Sequence, residues 1–190
     1  MKIKKISLFN IGPYKEMNVF EMNNNEKNIV LIGGKNGTGK TTFFKAIKTC
    51  LYGCKIWGYD AICKPYYEII STLINNDQKL NVETQAFVEI DMLFNDGKED
   101  NIYTIKREWV KNGKSLIEKL NIFKNGEKLL DSEKNDFINY LSSIIPPAMF
   151  NFYFFDGEEI TDFFLGNNGK QNFKDAFLKL YGLDTFSIMR

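Results

Sequence analysis

Gly34-Lys35-Asn36-Gly37-Thr38-Gly39-Lys40-Thr41 fits the pattern G-x-x-x-x-G-K-[ST], and its reading decides the fold. A loop of this pattern wraps a triphosphate closely enough for successive backbone N–H groups to point at the oxygens, so a Cβ at the glycine positions would obstruct it. In that role Lys40 places a compact positive charge on the β and γ phosphates, and Thr41 sets its hydroxyl on Mg²⁺. Thr42 reaches the α phosphate, and the following helix adds its positive N-terminal end. The pattern therefore predicts ATP with Mg²⁺, bound by Gly34, Lys35, Asn36, Gly37, Thr38, Gly39, Lys40, Thr41 and Thr42. Lys40 is the candidate catalytic side chain of this set and Thr41 the candidate metal ligand.

The flanks suit such a loop. A short apolar run at 28–32 ends in glycines and reads as a strand feeding it. After it, Phe43, Ile47, Cys50 and Leu51 recur at helical spacing, and Gly53 supplies a helix stop. Residues 2–9 read as another strand, with Ile6 and Leu8 on one face. From 84 onward the period changes: Ala86, Val88, Ile90, Met92 and Phe94 alternate with Glu89 and Asp91, the mark of a half-buried strand. Asn95-Asp96-Gly97 turns the chain, and two more strands follow near 102–110 and 116–123. Lys111-Asn112-Gly113-Lys114 between them is an Asn-Gly hairpin signal. Strand, glycine-rich loop, helix and antiparallel meander together predict an α/β fold. A helix at 132–145 shows Phe137, Leu141 and Ile144 on one face and stops at Pro146-Pro147. The apolar run 150–155 reads as a strand buried on both faces. A last helix carries Phe173, Phe177 and Leu180.

Composition narrows the function classes. With 190 residues, 44% of them hydrophobic, the chain can bury one substantial core. Its 25 basic and 24 acidic residues give a net charge of +1 without a basic stripe, so any DNA surface must come from an assembly. No signal-peptide pattern or membrane-length apolar run is present, which predicts a cytoplasmic protein. Cys50, Cys54 and Cys63 have neither His nor paired C-x-x-C spacing beside them, and they read as reduced, packed thiols. Lys2, Lys4 and Lys5 read as a solvated strand edge.

The opening strand 2–10, the loop 33–42, Leu51-Tyr52-Gly53, and Phe152-Tyr153-Phe154-Phe155-Asp156-Gly157-Glu158-Glu159-Ile160 together resemble the N-terminal part of the DndD family. These are SMC-like ATPases of bacterial DNA phosphorothioate modification. The loop is shared by all SMC-like proteins, whereas the Phe-Phe-Asp-Gly-Glu stretch is much narrower. The resemblance implies the N-terminal lobe of an SMC-like ABC ATPase head over residues 1–182, with a coiled-coil arm beginning at 183–190. The signature motif and the Walker B carboxylates of such heads lie beyond the arm. The sequence contains no Ser-Gly-Gly and no apolar strand ending in Asp-Glu, so the chain is expected to be half of a head and inactive alone. The expected partners are the C-terminal lobe of the same head, a second head in a homodimer, DNA through the assembled complex, and other DNA-modification proteins.

Asp156 stands where related heads carry the Gln that touches Mg²⁺ or the water near the γ phosphate. The resemblance makes it a second candidate catalytic and metal residue, because its oxygens suit a hard cation. Asp156 also begins an Asp-x-x-Glu capping box for a helix near Glu158. Pro13-Tyr14 reads as an ordinary turn, with packing near the adenine as the alternative drawn from related heads. Three other functions compete. A P-loop kinase or GTPase is disfavoured because the meander interrupts its βαβ alternation. A module that binds nucleotide without hydrolysis stays open. So does an SMC-like antiphage or DNA-repair ATPase outside the sulfur system.

Overall fold

A computed structural model describes residues 1–22, 30–75, 83–95, 99–112, 115–147 and 150. The chain divides into two compact units, Met1–Ile138 and Asn139–Arg190. The first holds a six-stranded antiparallel sheet built from β1 (Lys2–Ile11), β2 (Tyr14–Glu21), β3 (Glu83–Asn95), β4 (Asp100–Asn112), β5 (Ser115–Lys124) and β6 (Glu127–Lys128). Their order across the sheet is β2-β1-β3-β4-β5-β6. The helices are α1 (Lys40–Tyr52), α2 (Lys64–Leu73) and α3 (Asp131–Ile144), with a 3₁₀ turn at Gly53–Trp57 after α1. The α/β class and the meander hold, and the meander is larger than the sequence implied because β1 and β2 join the same sheet.

Strand alternation sets the two faces of the sheet. On one face Ile6 lies opposite Ile90, and Ile90 opposite Ile105; all three are buried. Helix α1 packs on this face against β1, β3 and β4, burying Phe43, Ala46, Ile47 and Cys50. The Cys50 thiol donates to the carbonyls of Val88 at 3.3 Å and Ile105 at 3.5 Å. Burial pushes its pKa up to about 12, so it carries essentially no thiolate at neutral pH. On the other face Phe9 and Phe87 stack at 5.2 Å, with the Lys106 ammonium 4.0 Å from the Phe87 ring.

Helix α3 is closed at its start by Glu133, whose carboxylate accepts from the Leu130 N–H at 2.7 Å in the manner of a capping box. Phe137 stacks on Tyr103 with centroids 4.2 Å apart and meets Phe94 edge-on. Leu141 is buried as expected, but the next buried position is Ile145 and not Ile144.

Some expectations fail. The strand expected at 28–32 is absent where it can be seen: residues 30–32 belong to no strand, and Val30 and Leu31 are 51% and 93% exposed. An apolar strand needs a neighbour for its backbone groups, and none of the described strands pairs with this run. Among the described residues the loop therefore enters α1 without the strand half of the predicted strand-loop-helix. Lys5 is not on a sheet edge, since β1 lies between β2 and β3; its ammonium reaches Asp91 at 2.9 Å. That hydrogen bond, opposed by partial burial, raises its pKa. The hairpin after β4 closes between Asn112 and Ser115, one residue later than the Asn-Gly signal placed it. Of the 150–155 run only Phe150 is described, and it is buried with helical backbone. The remaining expectations beyond 150, including Asp156, the last helix and the 182–183 boundary, lie outside the described residues.

Candidate functional site

The glycine-rich loop is closed by its own carbonyls. Lys40, the first residue of α1, turns its ammonium back across the loop and donates to the carbonyl of Gly34 at 3.0 Å and of Lys35 at 3.2 Å. The Lys35 carbonyl also accepts from the Thr38 hydroxyl at 2.7 Å and the Thr38 N–H at 3.2 Å. Three donors on one oxygen make Lys35 the pin of the loop. An ammonium has three protons, so two contacts to the loop leave a third for a ligand.

The end of the loop is held by the turn between β1 and β2. Gly39 has φ +104° and caps α1, its carbonyl accepting the first helical bond from the Phe43 N–H at 2.8 Å. A Cβ at Gly39 would collide with the Pro13 ring and come within 3.3 Å of Tyr14 Cε2. Only glycine satisfies both the left-handed backbone and this close approach. The Tyr14 hydroxyl donates to the same Gly39 carbonyl at 3.2 Å. Gly12 stands close to the Thr42 methyl, where a Cβ would again collide.

The far end of α1 is held by a buried ionic cluster. The last turn of α1 contains no basic residue, and Arg107 from β4 supplies the cation, its Nε donating to the Cys50 carbonyl at 3.1 Å. This suits the negative end of the helix dipole. Arg107 pairs with Glu118 of β5, their side chains 8% and 3% exposed. Glu118 also accepts from Trp109 Nε1 at 2.8 Å and from the Tyr66 hydroxyl. Burial, and then the adjacent Glu118 charge, push the Tyr66 pKa upward, so the phenol keeps its proton and donates.

Of the predicted site residues, Gly34, Lys35, Thr38 and Lys40 are thus joined by hydrogen bonds, and Gly39 and Thr42 lie against the β1–β2 turn. Asn36 and Gly37 form the exposed tip, and Thr41 is exposed in the first turn of α1. A phosphate chain fits this arrangement. The space where a Gly37 Cβ would lie is open to 4 Å, and no acidic residue in the first turn of α1 opposes an anion. Among the described residues no group of three or more His, Cys, Asp or Glu is placed to hold a metal. No described helix is long and apolar enough to cross a membrane.

Sequence reading did not find Arg107 or Glu118, and it took Tyr14 for part of a plain turn. The only signal for the ionic pair was charge at inward-facing positions of two strands, Arg107 between Ile105 and Trp109, and Glu118 two residues from Leu116.

The AAA domain family model matches residues 5–186, nearly the whole chain. The chain belongs to that family, one of SMC-like ATPases. No curated protein matches it.

Proposed function

We propose that this SMC-like family member is the ATP-binding half of an ATPase head that acts on DNA in the cytoplasm. The observation that carries the proposal is the Lys40 ammonium, held across the loop on the Gly34 and Lys35 carbonyls at the N-terminus of α1. A fixed cation, an exposed glycine-rich loop and a helix N-terminus meet there, and together they favour a phosphate chain. Gly34, Lys35, Asn36, Gly37, Thr38 and Gly39 would line it, and Lys40 would sit on its terminal phosphates. Thr41 would offer a hydroxyl to Mg²⁺ and Thr42 would approach the α phosphate. Bound Mg²⁺ supplies charge neutralisation on the phosphates. Asp156 is assigned as a further Mg²⁺ ligand, on the resemblance alone.

DNA phosphorothioate modification is the narrower reading, supported by the Phe-Phe-Asp-Gly-Glu stretch at 154–158. In it the chain supplies the motor: a sulfurtransferase wants an exposed, activated thiol, whereas Cys50 is buried with a raised pKa and burial also raises that of the half-buried Cys54. The assembled enzyme would add a C-terminal lobe, a second head, DNA and other modification proteins.

Turnover tests the half-head reading. The 190-residue chain is expected to bind Mg-ATP yet hydrolyse it negligibly, and to gain turnover when a C-terminal lobe is supplied. Hydrolysis by the chain alone at an ordinary enzymatic rate, on the order of 1 per second, with that rate lost in Lys40→Ala, would contradict it.

A further inference from the structure

We propose that Tyr14 is a positioning residue for the glycine-rich loop, setting the peptide plane between Gly39 and Lys40 so that the Lys40 N–H faces a bound phosphate. The inference rests on the nucleotide-binding reading of the loop and adds a residue from outside the motif.

The Gly39 carbonyl accepts two hydrogen bonds, from the Phe43 N–H at 2.8 Å and from the Tyr14 hydroxyl at 3.2 Å. A trans peptide is planar, so holding this C=O fixes the N–H of Lys40 on the opposite side. The helical bond alone fixes the carbonyl along the axis of α1. The phenol adds a second direction, and two directions define the plane.

Tyr14 is itself held. Its ring meets Phe20 edge-on at 5.6 Å and Phe43 at 6.4 Å, and Phe20 in turn meets Phe43 at 4.8 Å. The turn that carries it is braced from behind. The Gly12 N–H donates to the Leu73 carbonyl at 2.7 Å and the Asn75 N–H to the Asn10 carbonyl at 2.9 Å. The Asn10 side chain donates to the Gln85 carbonyl at 3.0 Å and accepts from the Glu16 N–H at 2.9 Å. The turn is therefore tied to the end of α2 and to β3, and Pro13 rests on Gly39 from the same side as the phenol. Burial raises the Tyr14 pKa, which keeps the donor protonated. None of these contacts uses the Tyr14 hydroxyl for the stability of the turn; its bond goes to the loop.

Tyr14→Phe removes the hydroxyl and keeps the ring. Parent and variant are titrated calorimetrically with Mg-ATP and with Mg-bound inorganic triphosphate, below their melting temperatures, and their ligand-free melting curves are compared. A positioning role predicts that both ligands bind about 3- to 10-fold more weakly to the variant, while its melting temperature falls by no more than about 2–4 °C. Loss of ATP affinity alone would place Tyr14 on the base and overturn the inference. Unchanged affinity for both ligands, with or without a lower melting temperature, would also overturn it by making the hydroxyl merely structural. A parent chain that binds neither ligand would overturn the nucleotide-binding reading, and this inference with it.

Discussion

Glu118→Ala should lower the stability of the chain by about 3–5 kcal/mol, the usual consequence of removing one partner from a buried ion pair. The loss exceeds that of an ordinary hydrogen bond because three donors converge on this carboxylate. Arg107, Trp109 and Tyr66 all donate to it from buried positions, and alanine would leave a guanidinium, an indole N–H and a phenol without their acceptor. For a chain of this size each kcal/mol moves the melting temperature by roughly 2–4 °C, so a drop on the order of 6–20 °C is expected by circular dichroism. Glu118→Gln keeps an acceptor oxygen but not the charge, and it should fall between parent and alanine variant. A Glu118→Ala protein melting within about 2 °C of the parent, well below one such increment per kcal/mol lost, would show that the cluster does not hold β4, β5 and α1 together.

Lys40→Ala should weaken Mg-ATP binding by roughly 10- to 150-fold, since a charge-assisted contact to phosphate is worth about 1.5–3 kcal/mol. The fold should survive, because Lys40 is partly exposed and its two bonds go to loop carbonyls that water can satisfy instead. The variant thus separates binding from stability, the reverse of Glu118→Ala. Fluorescent-nucleotide titration with a melting curve in parallel reads both. Unchanged affinity would remove Lys40 from the phosphate site.

The contrast between these two residues marks what could be read from the sequence. Lys40 was legible because its contacts to the Gly34 and Lys35 carbonyls arise from a local pattern, both partners lying within six residues of it. The meander was legible for the same reason, as Ala86 to Phe94 alternate with a period of two and Asn95 pairs with Asp100. Helix α2 carried a signal that went unread, with Pro65 in its first turn and Tyr66, Ile70 and Leu73 buried along one face. Glu118 was not legible, since its meaning depends on Trp109 lying opposite it and on Tyr66 arriving from another element. Tyr14 depended likewise on 25 residues of separation from Gly39. The run at 28–32 misled for a complementary reason. Its composition is that of a buried strand, but burial needs a neighbour, and the described strands supply none.

Amide chemical-shift mapping with Mg-ATP tests the central claim most directly, because it locates the ligand without relying on a substitution. The account predicts that Mg-ATP shifts the amides of Gly37, Gly39, Lys40 and Thr41 most strongly, while those of β4 and β5 stay in place. Saturating Mg-ATP that leaves the 34–42 amides unmoved, or moves chiefly the sheet, would contradict it.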